Sequence, residues 1–337
     1  MMKYLIVNIG SSSIKLEIVN RNLQITSSFF EYHNNNIEQC LNTMLKKVDK
    51  FDVIIHRVVH SGKEIKLCEK VTEQSIKNIQ KACPLAPLHE PAELSGIQTC
   101  QKIFNQPQYV VYDTGFFKDV PDYAYTIAIP KDLREKHQIR KYGFHGIAHA
   151  NLFDQAVSKC NLHPKKSNVI SVQLGNGCSV ALIQNGVAID TSMDFTPLAG
   201  LIMGTRVGDL DPGIYNYLLK NEPKLDIDKV LNKQSGLLAL SDKYSSMKDI
   251  IEQKDTNPEI LIAYNTFCYR VSKYISAYAG LCNNINAVVF GGGISYNAPQ
   301  VTHDIINRIK GFVPAAHLVC ETQESIQMVK IINNHLS

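Results

Sequence analysis

The sequence has no long run of basic residues, no CxxC cysteine pair and no apolar stretch long enough to span a membrane. Lys and Arg number 35 against 31 Asp and Glu, a net charge of only +4. Without clustering, that excess gives no electrostatic footprint for nucleic acid. Met1 to Ile9 carries one Lys and a short apolar run that breaks at Gly10-Ser11-Ser12-Ser13. Such a run is too short for a signal-peptide core. The nine cysteines are scattered through apolar segments, as expected of small buried thiols in a reduced, cytoplasmic protein. The usual nucleotide fingerprints are missing too: neither GxGxxG nor the Walker pattern GxxxxGKS/T occurs.

What is present is an ordinary globular composition, 45% hydrophobic and 20% charged, which excludes a disordered or collagen-like chain. At 337 residues the chain suits two domains better than one core. Short β-branched runs predict strands over Tyr4–Ile9, Ile14–Val19, Val53–Ile55, Gln108–Tyr112, Val169–Leu174, Val180–Gln184 and Ala287–Phe290. Helical periodicity predicts helices over Glu73–Lys81, Pro91–Ile103, Ile147–Cys160 and Pro258–Cys282. In the last, Ala263, Phe267, Val271, Ile275 and Tyr278 share one face. The alternation predicts a mixed α/β fold.

The two halves echo each other. Val7–Leu16 reads VNIGSSSIKL and Val172–Leu182 reads VQLGNGCSVAL, an offset of 165 residues. Asn8 lies opposite Gln173, Gly10 opposite Gly175 and Ser11 opposite Asn176, with the extra residue placed in the second turn. Either segment alone reads as an ordinary hairpin. Together they predict two similar domains whose small-residue turns face one cleft, where backbone N–H groups could cradle a phosphate. A third loop, Val288–Asn297 (VVFGGGISYN), runs from a buried strand through three glycines into a helix start. It suits either close helix–strand packing or a flat adenine against the backbone.

Candidate side chains gather on loops. Arg206 sits in the Gly-rich loop DFTPLAGLIMGTRVGDLDPG and either grips an anion or pairs with Asp209 or Asp211. Arg57 follows a strand end in HRVVHSG and is a second anion ligand. His145 stands between Gly143 and Gly146, a spacing that suggests close approach to something. Asp113 ends the strand Tyr109–Tyr112, either at the mouth of an α/β cleft or as a cap. Glu324 suits the first turn of a final helix.

These stretches resemble the acetate kinase family, within the superfamily that also holds sugar kinases, actin and heat-shock ATPase chaperones. The matching segments are VNIGSSSIK, HRVVHSG, PLAPLHEP, DTGFF, RKYGFHGIAH, LGNGCS, DTSMDFTPLAGLIMGTR, DLDPG, FGGGI and TQE, in family order from residue 7 to 324. The resemblance implies two domains of a duplicated actin-like ATPase fold facing a central cleft. Their expected bounds are 1–117 and 118–324, with a final helix over 325–337 packing back on the first. It implies reversible, magnesium-dependent phosphoryl transfer between ATP and a short-chain carboxylate, acetate before propionate, giving ADP and an acyl phosphate. Carried over by position, Arg57 and Arg206 would hold the carboxylate and the transferring phosphoryl group, and His145 its oxygens. Asn8, Asp113 and Glu324 would place magnesium. Ser11, Ser13 and Lys15 would line the first phosphate turn, and Asn176 with Gly177 the second. Gly292, Gly293, Ile294 and Asn297 would bound the adenosine pocket. Val59, Leu88, Phe144 and Pro197 would form the slot for the acid's alkyl end. A homodimer is a further implication of the resemblance.

The chain departs from the family pattern at several places. Ser246-Met247-Lys248 stands for Asp-Met/Phe-Arg, Phe117 and Gln173 for His, Ser295-Tyr296 for Gly-Glu, and Ser61 for Gly. The phosphoryl-transfer set is retained while the adenosine side is altered, which predicts weaker or less base-selective nucleotide binding. Two other readings stay open: a sugar kinase, which would need an Asp base and a polar slot, and a nucleotide-binding regulator without turnover. The reading depends on the two guanidinium groups, one from each half, converging with His145 on one pocket.

Overall fold

The computed structural model describes residues 2–10, 13–33, 36–86 and 89–336. The chain divides into two compact units. The first comprises Met1–Lys118, Phe144–Asn151 and Gln323–Ser337; the second comprises Asp119–Gly143 and Leu152–Thr322. Residues 144–151, placed with the second half by the sequence reading, group with the first.

The first unit holds strands β1 (Lys3–Ile9), β2 (Ser13–Asn20), β3 (Ile25–Tyr32), β4 (Val53–Val58), β5 (Cys68–Lys70) and β6 (Gln108–Tyr112) in the order β3-β2-β1-β4-β6-β5. The second holds β7 (Asn168–Leu174), β8 (Cys178–Gln184), β9 (Val187–Thr191), β10 (Ala287–Gly291) and β11 (Ala316–Val319) in the order β11-β10-β7-β8-β9. Reversed, the second order repeats the first. In each sheet an antiparallel meander (β1-β2-β3, β7-β8-β9) continues through the meander's first strand into a parallel pair (β4-β6, β10-β11). The sequence echo is thus a repeat of topology, and the α/β class holds, as a duplicated actin-like arrangement. The hairpin register corrects one detail. Ile9 pairs with Ile14 and Leu174 with Cys178, so four positions separate the first pair in sequence and three the second. The extra residue therefore lies in the first turn, because β8 begins pairing at Cys178.

Alternation along β1 builds two cores. Tyr4 and Ile6 pack with Ile55, Val111, Ile147 and the final helix (Glu324–Leu336) through Met328, Val329 and Ile332. Leu5, Val7 and Ile9 pack on the other face with Leu41, Met44 and Cys100 from helices 37–45 and 90–103. With both faces covered, the strands read as continuous apolar runs. In the second unit the helix Pro258–Ala279 buries Ala263, Phe267, Val271, Ile275 and Tyr278, the predicted face, and ends three residues before Cys282. Among the described residues no helix is long and apolar enough to cross a membrane.

Candidate active site

In the first unit, adjacent strand ends present one charged cluster. Arg57, next to last in β4, places Nη2 2.5 Å from Asp113 Oδ2. Its Nη1 lies 3.5 Å from Glu93 Oε1 and donates to Asn8 Oδ1, also at 3.5 Å. Asn8, on β1, donates through Nδ2 to Glu324 Oε2 at 3.3 Å. Asp113 follows β6 and is buried; it makes no capping bond, and its Oδ1 has no hydrogen-bond partner. Burial works against the Arg57 charge, yet Asp113, Glu324 and Glu93 hold its pKa above the ordinary arginine range. Burial raises the Glu324 carboxyl, with Asp113 adding and Arg57 opposing. Acid outnumbers base here. The sequence reading had brought Asn8, Arg57, Asp113 and Glu324 to one place, and so does the structure. It had not included Glu93.

His145, the third expected member, belongs to the same unit and has a left-handed φ of +59°. The close approach signalled by its flanking glycines is a backbone one: a Cβ on Gly146 would sit 2.0 Å from the Asp113 carbonyl oxygen. Helix Gly146–Lys159 thus starts directly against the turn that carries Asp113. Val59 and Phe144 are buried, and the Val59 carbonyl accepts from the Thr114 N–H at 3.2 Å. The Phe144 ring lies 6.2 Å from that of His60. Phe117 packs edge-on against His149 at 5.9 Å. Ser61 accepts from the Lys66 N–H. In the first turn the Ser13 carbonyl accepts from Gly10, while Lys15 pairs with Glu17 at 3.0 Å. Ser11 and Leu88 lie outside the described residues.

The second unit carries Arg206, and neither expected acid holds it. Asp209 accepts from the Gly200 N–H and the Tyr274 hydroxyl, and Asp211 caps helix Pro212–Asn221. Arg206 Nη1 donates instead to the Pro197 carbonyl at 3.2 Å. Burial lowers the Arg206 pKa, only partly offset by Cys178. This is a half-buried cation with no ion pair among the described residues, a state suited to receiving an anion. Pro197, expected in the alkyl slot, therefore acts on Arg206 through its backbone. The same unit has a cavity of about 660 Å³. Asn176, Gly293, Ile294 and Asn297 line it, as do Ser246, Met247 and Lys248. Gly177 and Gly292 are not among its lining residues. Gly177 accepts from the Gly175 N–H at 3.1 Å. Gly292, at φ +84°, has room for no Cβ, which would lie 2.3 Å from the Leu174 carbonyl oxygen. Its N–H donates to Thr322 Oγ1, which donates to Gln173 Oε1. Leu237, Ile251, Glu252, Pro299 and Gln300 also line it. Sequence reasoning missed these because they lie on helices without a motif.

A family model described as the Acetokinase family matches residues 24–316. An acetate kinase of Campylobacter concisus is 39% identical over 320 residues, covering 91% of this chain and 79% of the relative. One of Halothermothrix orenii is 37% identical over 352 residues, covering 93% and 88%. Among solved structures, an acetate kinase of Porphyromonas gingivalis superposes with a TM-score of 0.90 at 28% identity, covering 100% of both chains. A propionate kinase of Francisella tularensis reaches 0.90 at 32%, covering 98% of this chain and 99% of that one. A family match over residues 24–316, with relatives of 37–39% identity aligned over more than nine tenths of the chain, means that this chain belongs to the acetokinase family.

Proposed function

We propose that the protein is an acetate kinase, transferring the γ-phosphoryl group of ATP reversibly to a short-chain carboxylate. The observation that carries this reading is the cluster of Arg57, Asn8, Asp113 and Glu324 at the strand ends of the first unit. A carboxylate oxygen attacks the γ-phosphorus, the bond to the β-phosphate oxygen breaks, and ADP leaves. A carboxylate is already ionised at neutral pH, so no general base is required. Catalysis then consists of positioning and charge stabilisation. Arg57 and Arg206 hold the acid and the transferring group, and His145 donates to its oxygens. Val59 and Phe144, buried and apolar, suit a small alkyl end and not a sugar. Ser13 and Lys15, with Asn176 and Gly177, belong to the two phosphate turns. Gly293, Ile294 and Asn297 line the cavity that takes the nucleoside.

The donor set fits magnesium. Asp113, Glu324 and Asn8 offer oxygen, one Asp113 oxygen is buried without a partner, and carboxylate exceeds guanidinium. Two carboxylates with an amide suit a hard cation that keeps several waters. Magnesium bound there would offset phosphate charge. We further place the protein in the cytoplasm, where its nine free thiols suit a reducing compartment, and take it to be a homodimer.

Initial rates with acetate, propionate and butyrate at one ATP concentration, read as hydroxamate, test the reading. The expected order has acetate or propionate first. Absence of acyl phosphate from every acid, with ATP bound, would favour the regulator instead. Propionate is the second reading, supported by the Francisella propionate kinase structure. One methylene is worth only about 1–3 kcal/mol of discrimination. A second titration, with ATP against GTP, tests the looser base selectivity expected from Ser246 and Lys248, which line the cavity.

A further inference from the structure

Two acids beside the Arg57 cluster have no part in the reading above. Glu90 and Glu93 open helix Glu90–Ile103 and are 0% and 2% exposed. Burying a carboxyl is costly unless it is answered by donors. Both are answered from one short stretch of chain. Glu93 Oε2 accepts the Val59 N–H at 2.9 Å, and Glu90 Oε1 accepts the His60 N–H at 2.9 Å. Only Glu93 meets a cation as well, with Oε1 3.5 Å from Arg57 Nη1. Arg57 Nη2 is held by Asp113. The guanidinium is therefore bracketed by two carboxyls from different elements. One of them also holds the backbone of Val59.

Burial pushes Glu93 up to about 8, against the pull of Arg57 and the Val59 N–H. Burial and the neighbouring Glu93 push Glu90 further, to about 9. Glu93 is thus the readier of the two to carry charge, and it is the one that faces Arg57.

We propose that Glu93 is a positioning residue for the acid substrate, with one oxygen holding the Val59 N–H and the other, without a hydrogen bond of its own among the described residues, set 3.5 Å from the Arg57 guanidinium. This rests on the assignment of Arg57 and Val59 to acid binding in the proposed function. Without Glu93 the Nη1 side of the guanidinium keeps only a long, 3.5 Å bond to Asn8, and the group can turn about its Asp113 contact. Small misplacements of a binding group are expensive, because orientation supplies much of the rate. Removing one partner of a buried carboxyl–guanidinium contact corresponds to roughly a tenfold or larger change in affinity.

The experiment compares Glu93→Gln, Glu93→Asp, Glu90→Gln and Arg57→Lys in the full-length enzyme, with melting curves on the same samples. Glu93→Gln keeps one acceptor, for the Val59 N–H, but puts an amide NH2 in place of the oxygen that faces Arg57. It is expected to raise the KM for acetate roughly tenfold, with the KM for ATP within twofold of the parent. Glu93→Asp keeps the carboxyl at shorter reach and is expected to raise the acetate KM less, though more than twofold. Glu90→Gln, which touches no substrate-binding group, is the control and is expected to leave both KM values within twofold. A folded Glu93→Gln enzyme with an acetate KM within twofold of the parent overturns the proposal. So does an equal rise in both KM values. Should Glu93→Gln not fold, Glu93→Asp decides on the same twofold criterion. Arg57→Lys separates this failure from the larger one: if it too leaves the acetate KM unchanged, the acid-site reading itself is wrong.

Discussion

The two arginines are the same residue type in opposite electrostatic settings. Arg57 is saturated with carboxylates, whereas Arg206 has a carbonyl and a Met203 sulfur. Removing Arg57 would leave the buried Asp113 without its cation, a loss of about 3–5 kcal/mol for a broken buried pair. Removing Arg206 strands no carboxylate. Arg206→Ala is therefore expected to melt close to the parent while losing a factor of roughly 10²–10³ in kcat. Arg57→Ala is expected to lose both stability and rate. Paired melting curves and steady-state rates check this, and an Arg206→Ala enzyme at parental rate would remove Arg206 from the machinery. Both arginines were legible in the sequence as loop and strand-end residues. Which of them was already neutralised was not, since the acids that decide it come from distant segments.

At the scale of elements, two glycines mark where backbones touch. Gly146 lets the helix start lie against the Asp113 carbonyl, and Gly292 lets the third loop lie against the Leu174 carbonyl. Alanine at either position has no flexible side chain to push aside, so backbone must shift, at about 1–3 kcal/mol or more. Gly146→Ala is expected to lower the melting temperature and reduce turnover with every acid, because it displaces the turn carrying Asp113. Gly292→Ala is expected to raise the KM for nucleotide while sparing that for acetate. The opposite pattern in the two KM values would contradict the division of roles. The sequence marked both glycines as sites of close approach. For the loop of Gly292 it left open helix–strand packing or a ligand, and a Cβ there would meet the Leu174 backbone. Edge strands escaped prediction for a related reason: β3 and β11 bury few residues, so they lack the continuous apolar signal of β1, β6 or β10.

For the whole molecule, buried titratable groups set an acid and an alkaline limit to stability. Burial lowers His56 and His60 to about 4 and His149 to about 3, from 6.5. The unfolded chain binds more protons at these positions below pH 6.5, so their stability is lost as the pH falls through that range. Glu90 and Glu93 work the other way. Raised from 4.5 to about 9 and about 8, they hold protons in the fold that the unfolded chain has released. Their contribution is complete below pH 4.5 and declines as the pH rises through 8 to 9. Melting temperature is therefore expected to be highest at mildly acidic to neutral pH and to fall on both sides. Glu90→Gln should flatten the alkaline limb. A melting temperature that climbs steadily to pH 9 would contradict the protonated pair.

What the sequence determined by itself was the repeat, the α/β class and the family. Those follow from local information: periodicity, turn chemistry and ordered motifs are properties of short segments. The tertiary structure decided which charges meet. Arg57, Asn8, Asp113 and Glu324 are spread over more than three hundred residues yet lie within hydrogen-bond reach of one another along a chain of contacts in space. Glu93, an unremarked acid in a helix's first turn, became their neighbour only because that helix packs beside β4. The energy of a buried charge depends on partners within a few ångströms, and chain folding alone sets those distances.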